Sequence, residues 1–207
     1  MLRLCVFALA QSNMGRKVSR SPVTLDTRDV TQLSDEEIRV ILRGADDLIM
    51  SGGRSLLARV LKGSKQKAVL QHALDQSPVY GALSDLSIVD ITARIDWLIR
   101  NGYLNIAYDY RLPLLVYTER GWAIERETYA TELVDKIDVL LTRGEAIGDR
   151  KWLTEGNPAV LQRVLEKIAE TGDRRYLPLL RQWQDNATRR ISTHIRAARR
   201  AIDGNNQ

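Results

Sequence analysis

The chain has 207 residues, 44% of them hydrophobic, enough for one compact domain and a smaller helical annex. A single cysteine, Cys5, excludes an internal disulfide framework and any multi-cysteine zinc site, and it fits a reducing cytoplasm. Lys and Arg number 31 against 26 acids, a net charge of +5 that suits either a polyanionic partner or a merely basic surface, and no apolar run reaches the roughly 18 residues needed to span a bilayer.

The amino terminus, MLRLCVFALAQSNMGRKVSRSP, holds a short apolar core that superficially resembles a signal peptide. Only one basic residue precedes it, so residues 1–13 are expected to be a misassigned leader and Met14 the start of a soluble protein. Residues up to 33 are polar without apolar periodicity, which predicts a flexible arm.

Order is expected from Ser34. Ser34 and Glu37 have capping-box spacing, and Ile38, Ile41, Leu42, Ala45, Leu48 and Ile49 share a helical face that Gly52-Gly53 ends. Leu56, Leu57, Val60 and Leu61 predict a short second helix stopped by Gly63, after which Ser64 is expected to cap a third carrying Val69, Leu70, Ala73 and Leu74. A loop around Pro78 follows. Ser87 with Asp90 starts the next helix, which runs through Ile88, Ile91, Ile95 and Leu98 to Asn101-Gly102.

Beyond that helix the period changes to two. Leu104, Ile106 and Tyr108 alternate with Tyr103, Asn105 and Ala107, and Leu112 to Thr118 forms a second run after Asp109-Tyr110-Arg111. This is a hairpin, and Pro113 implies an exposed edge on its second strand. From about Ile124 to Thr142 a long helix buries Tyr129, Leu133, Ile137 and Leu140. Residues 144–156 read as a linker. Asn157-Pro158 then opens a helix with Val160, Leu161, Val164, Leu165 and Ile168, followed by a helix pair with Leu177, Leu180 and Trp183 on one member and Ile191, Ile195, Ala198 and Ile202 on the other.

Short helices followed by a hairpin give the element order of a winged helix. The stretch VLKGSKQKAVLQHALDQSPVYGALSDLS also resembles the RQC domain found carboxy-terminal to RecQ-family helicase cores. The resemblance rests on Leu61-Lys62-Gly63-Ser64, Tyr80-Gly81, Leu86-Ser87 and Tyr117-Thr118-Glu119-Arg120-Gly121, in that order, over about residues 54–122. It implies a winged helix that holds DNA phosphates at the glycine turn and binds duplex ends through turn and wing, in repair, recombination or replication. RecQ helicases carry an ATPase core with a phosphate-binding loop, and many bacterial members a four-cysteine zinc subdomain. This sequence has no GxxxxGK[ST] pattern and one cysteine, so the reading is the DNA-binding piece without the motor. The segment DRRYLPLLRQWQDNATRRISTHIRAARRAI is similar to a HEAT repeat, with Pro178 inside its first helix.

Candidate DNA contacts follow from chemistry and from the resemblance. At Lys62-Gly63-Ser64-Lys65 the glycine lets backbone approach a phosphate, Ser64 offers a hydroxyl, and Lys62, Lys65 and Lys67 add charge; the same residues also make an ordinary capped helix with solvated lysines. The helix beginning at Ser87 would face a groove with Thr92, Arg94 and Arg100 outward, although Asp85, Asp90 and Asp96 make it nearly neutral. Tyr108, Tyr110 and Arg111 surround the wing tip, where an aromatic can stack on a terminal base pair; hairpin tyrosines also serve as cross-strand packing. Arg189, Arg196 and Arg200 share a face of the last helix that suits a phosphate track, an acidic protein or plain solvation.

No catalytic residue, metal site or cofactor is expected: His72 and His194 lack ligand spacing, and Trp97, Trp122, Trp152 and Trp183 read as packing anchors. The expected fold is mainly α with a small β-hairpin (α+β), divided into an arm (1–33), a winged helix with flanking helices (34–143), a linker (144–156) and a HEAT-like helical unit (157–207). The expected function is a non-enzymatic, cytoplasmic DNA binder selective for duplex ends, forks or junctions, with a helicase or other protein as a further partner on the carboxy-terminal helices and no membrane. A winged-helix transcription regulator, and a scaffold that binds no DNA, remain the alternatives.

Overall fold

The computed structural model describes residues 23–145 and 150–204. The expected leader, the first part of the arm and the middle of the linker lie outside them. The fold is mainly helical with one two-stranded antiparallel sheet. The described residues divide into two compact units, one ending at Glu125 and one beginning at Arg126. No helix among them is long and apolar enough to cross a membrane.

In the first unit, α1 (Asp35–Asp46) starts on a complete capping box. The Ser34 hydroxyl accepts the Glu37 N–H at 3.2 Å, and the Glu37 carboxylate accepts the Ser34 N–H at 3.0 Å. Three acids in its first turn complement the helix dipole. Helix α2 (Arg54–Lys62) ends where Gly63 enters the left-handed region at φ 75°. The Gly63 N–H then reaches the Val60 carbonyl at 2.9 Å and the Ser64 N–H the Arg59 carbonyl at 2.9 Å, a Schellman closure.

Helix α3 (Lys67–Gln71) departs from expectation, because Gln66 rather than Ser64 precedes it and it has only five residues. Ser64 is spent closing α2. Its hydroxyl merely accepts the Gln66 N–H at 3.4 Å. Of the apolar residues assigned to this helix, Val69 is buried while Leu70 is 47% exposed, and the chain leaves helical geometry through Ala73 at φ 52°. After a 3₁₀ turn (Leu74–Gln76) and loop, α4 (Ile88–Arg100) begins on Ser87 as expected.

Strands β1 (Leu104–Asp109) and β2 (Leu112–Tyr117) pair with Asp109 opposite Leu112, leaving Tyr110-Arg111 as the two-residue turn. The outer edge of β2 is partly closed. The Leu115 N–H donates to the Gly52 carbonyl at 2.9 Å and its carbonyl accepts the Met50 N–H at 3.0 Å, so the loop after α1 pins the wing. Pro113, two residues away, shares that outward parity, and its missing N–H therefore breaks no bond between the strands. The core of this unit gathers Ile41 and Leu42 of α1, Leu57 and Leu61 of α2, Ile91, Ile95 and Leu98 of α4, and Leu104 and Leu115 of the wing.

Helix α5 (Glu119–Arg143) begins earlier than expected because the end of the wing builds its start. The Thr118 hydroxyl donates to the Gly102 carbonyl at 2.7 Å and accepts the Gly121 N–H at 3.1 Å. A Cβ on Gly121 would sit 2.0 Å from the Tyr103 carbonyl oxygen, so only glycine fits. The Thr-x-x-Gly spacing is thus a packing requirement. Arg120 also lies 3.9 Å over the Tyr103 ring, which stacks on Trp97.

In the second unit, the remainder of α5 buries Ala130, Leu133, Ile137 and Leu140, with Tyr129 only half-buried. A short helix, α6 (Lys151–Thr154), occupies part of the expected linker. Helix α7 (Pro158–Thr171) is capped by Asn157 and closed by Gly172, and α9 (Arg189–Gly204) packs on both α7 and α8 (Tyr176–Asn186) through Ile191, Ile195, Ala198 and Ile202. Of the four tryptophans, Trp183 alone is fully buried; the others are half-buried. Arg163 joins Glu127 at 2.7 Å and Glu170 at 2.8 Å, and Lys167 also pairs with Glu127. The Arg163 hydrogen bond, with help from Lys167, holds the Glu127 carboxyl down at about 2.

Two predictions follow from this packing. Gly121→Ala is expected to cost about 2–3 kcal/mol in thermal unfolding, since backbone must move to admit the methyl group. Gly102→Ala, at φ 71° with open space around it, is expected to cost only about 1 kcal/mol. Equal losses would refute the steric account. For Glu127, whose folded pKa lies below the ordinary 4.5, the ion pair stabilises the fold above that value and is lost as pH falls toward 2. The melting temperature of Glu127→Gln should therefore lie below wild type at pH 7, and the gap should close between those two pH values.

Candidate nucleic-acid interface

Three elements of the first unit hold the candidate contacts: the turn between α2 and α3, the α4 helix and the wing. The turn is built by close backbone approach. A Cβ on Gly63 would lie 3.1 Å from the Gly81 Cα, and both glycines adopt φ 75°. The Gly81 N–H donates to the Val60 carbonyl at 3.0 Å and the Leu83 N–H to the Leu61 carbonyl at 2.9 Å, so the last α2 carbonyls also hold the loop leading to α4. This is the physical content of the separated Lys-Gly-Ser and Tyr-Gly pairs.

Gly63 and Ser64 are half-buried rather than in the core. The Lys62 ammonium donates to the Ser84 carbonyl, which makes this lysine a tie between α2 and the loop before α4. Lys65 and Lys67 are exposed, with no acidic partner among the described residues. The free charge of the turn thus resides in these two lysines. The helix behind them is too short to carry a strong dipole, so backbone N–H groups and lysine charge supply what attraction it has.

The α4 helix has its polar side chains engaged within the fold. Its start is self-contained: the Ser87 hydroxyl accepts the Asp90 N–H at 3.1 Å and donates to the Asp90 carboxylate at 2.6 Å. That hydrogen bond, then the Arg28 guanidinium, keeps the Asp90 carboxyl below its usual range. Thr92, Arg94 and Arg100 were expected outward, and each is instead engaged. The Thr92 hydroxyl donates to the Ile88 carbonyl at 2.7 Å, half-buried Arg94 pairs with Glu37 at 3.1 Å, and Arg100 donates to the Leu25 carbonyl at 2.6 Å.

The reason is a segment that periodicity did not reveal. Residues 25–31, expected within the flexible arm, run along α4 as a strap. The Asp26 N–H donates to Asp96 at 2.8 Å, Arg28 pairs with Asp90 at 2.8 Å, and the Trp97 indole N–H reaches the Thr31 carbonyl at 3.1 Å. Asp96 is buried and also receives Arg54 through both carboxylate oxygens at 2.5 and 2.6 Å.

The wing presents its tip openly. Tyr110 is 83% exposed and sits at φ 52°, Arg111 is exposed beside it, and Tyr108 is half-buried opposite Pro113. Leu112, read only as a strand residue, is 64% exposed and extends the apolar tip. No group of His, Cys, Asp and Glu able to hold a metal occurs among the described residues.

The family model described as RQC domain matches residues 24–137. The ATP-dependent DNA helicase RecQ of Bacillus subtilis (strain 168) is 30% identical over 99 residues, covering 46% of this chain and 16% of the helicase. The chain thus spans a small part of that relative's length. No solved structure matches it.

The strap is testable through Asp96. Asp96→Asn removes the charge that holds Arg54 and the Asp26 amide, with an expected cost of about 2 kcal/mol. Hydrogen exchange at the Asp26 amide should accelerate relative to wild type at the same temperature, and unaltered protection there would contradict the strap.

Proposed function

The chain belongs to the RQC domain family, and from that membership we propose that it is a DNA-binding protein that engages duplex ends, forks or junctions without a catalytic step of its own. The observation that carries this reading is Tyr110. A two-residue hairpin turn favours Asn-Gly, because left-handed backbone is costly for a residue with a Cβ. Here a tyrosine takes that position and leaves its ring in water. Neither local propensity nor packing accounts for the choice, whereas stacking on an exposed base pair does.

Lys65 and Lys67 supply the accompanying phosphate contacts, with the Gly63 turn letting backbone come close. Lys62, Ser64 and Ser87 act mainly by shaping that surface, and Arg94 holds α1 against α4 instead of DNA. The strap over α4 and the acids Asp85 and Asp90 disfavour a transcription regulator that reads a groove with this helix. Strand separation driven by ATP would depend on a helicase supplied by another polypeptide. The HEAT likeness of the tail rests on its sequence pattern, and the family match ends at residue 137.

Affinity for blunt, forked and single-stranded oligonucleotides across a salt series tests the proposal. Tyr110→Ala is expected to weaken binding to ends and forks by about 1–3 kcal/mol, roughly fivefold to a hundredfold, with little effect on the salt slope. Lys65→Gln combined with Lys67→Gln should reduce the slope of log affinity against log salt by about 2. Absence of salt-sensitive binding to all three substrates would reject the reading.

A further inference from the structure

We propose that the outer face of α9 is a second nucleic-acid contact, a stripe of Arg189, Arg196 and Arg200 that takes the sugar-phosphate backbone independently of the turn and wing. The inference rests on the DNA-binding reading above and adds a site to it. Residues 7 and 11 positions apart return to nearly the same side of a helix, and this side lies opposite the buried Ile191, Ile195, Ala198 and Ile202. All three arginines are exposed, and no acid among the described residues pairs with them. Arg196 turns its Nε to the Ser192 carbonyl at 3.3 Å, which leaves its terminal nitrogens outward.

An exposed basic face is ordinarily just solvated. Two features set this one apart. On the neighbouring α7, cations and acids alternate, so that Arg163 and Lys167 are answered by Glu127, Glu166 and Glu170. The stripe on α9 has no such answer, and Arg196 and Arg200, four residues apart, repel one another along the helix. Its amino-terminal end also runs against the helix dipole. Arg189 and Arg190 occupy the positive first turn, no acid is found there, and the helix's one acid, Asp203, lies near the negative end and is committed to Arg174 at 3.7 Å.

A polyanion laid along the stripe relieves both the mutual repulsion and the opposed dipole. The stripe spans about 16 Å, close to five base-pair steps of 3.4 Å, the length over which one duplex strand stays on one face.

The test uses the full chain and a fluorescently labelled 30-base-pair blunt duplex over a salt series. Arg189→Gln, Arg196→Gln and Arg200→Gln together are expected to lower the slope of log affinity against log salt by about 3 and to leave the melting temperature equal or higher. The corresponding triple Lys variant, which keeps the charges, should retain the wild-type slope. A wild-type slope in the Gln variant overturns the proposal, and includes the case in which the stripe serves an acidic protein. An equal loss in the Lys variant overturns it too, since the effect would then be structural. If the wild type binds no DNA, the proposed function fails with it; if it binds and only the Gln variant is unchanged, this inference alone falls.

Discussion

Two stretches of backbone touch at Gly63 and Gly81, and the candidate DNA-binding surface depends on that contact. Both residues lie in the left-handed region, and a methyl group on the first would press on the Cα of the second. Because neither has a side chain, the amides of Gly81 and Leu83 reach the terminal carbonyls of α2. The Leu61 carbonyl would otherwise need water or a capping side chain. The same contact ends α2 and fastens the loop before α4, leaving Lys65 and Lys67 on an exposed corner. A turn held by backbone keeps its shape whatever Lys65 and Lys67 do, and that steadiness is what a phosphate contact requires.

Charge in this unit divides between structure and surface. Asp96 is buried and gathers Arg54 and the Asp26 amide, and Arg94 pairs with Glu37 between α4 and α1. Removing either carboxylate would leave a partly desolvated guanidinium unanswered, so these groups are tied to the fold. The strap makes α4 a packing element on the side where a winged helix ordinarily offers a reading helix. The unit is left with a lysine corner and an aromatic finger exposed to solvent.

The wing derives its rigidity from its base. Leu115 is hydrogen-bonded to the loop after α1, and Thr118 joins the end of β2 to the start of α5. The hairpin is therefore anchored at its root while Tyr110, Arg111 and Leu112 project. In the second unit the apolar stripes of α7, α8 and α9 close a separate core, and the unusual feature is electrostatic: α9 opens on two arginines at its positive end, and Arg189, Arg196 and Arg200 have no acidic partner among the described residues.

Local signals in the sequence determined most of the elements. The capping box at Ser34, the Ser87 cap, the glycine stop at Gly63, the two-residue period from Leu104 and the Asn157-Pro158 start all act within a few residues, so the chain alone carries them. The exposed tip at Tyr110 was legible for the same reason. Other outcomes required distant partners. Ser64 closes α2 instead of opening α3, Lys62 bonds a carbonyl 22 residues away, and the polar segment 25–31 is held by Asp90, Asp96, Trp97 and Arg100. A polar strap bound through backbone carbonyls and amides leaves no hydrophobic period to read, and the side chains that hold it were apparent as partners only once α4 had been placed beside it.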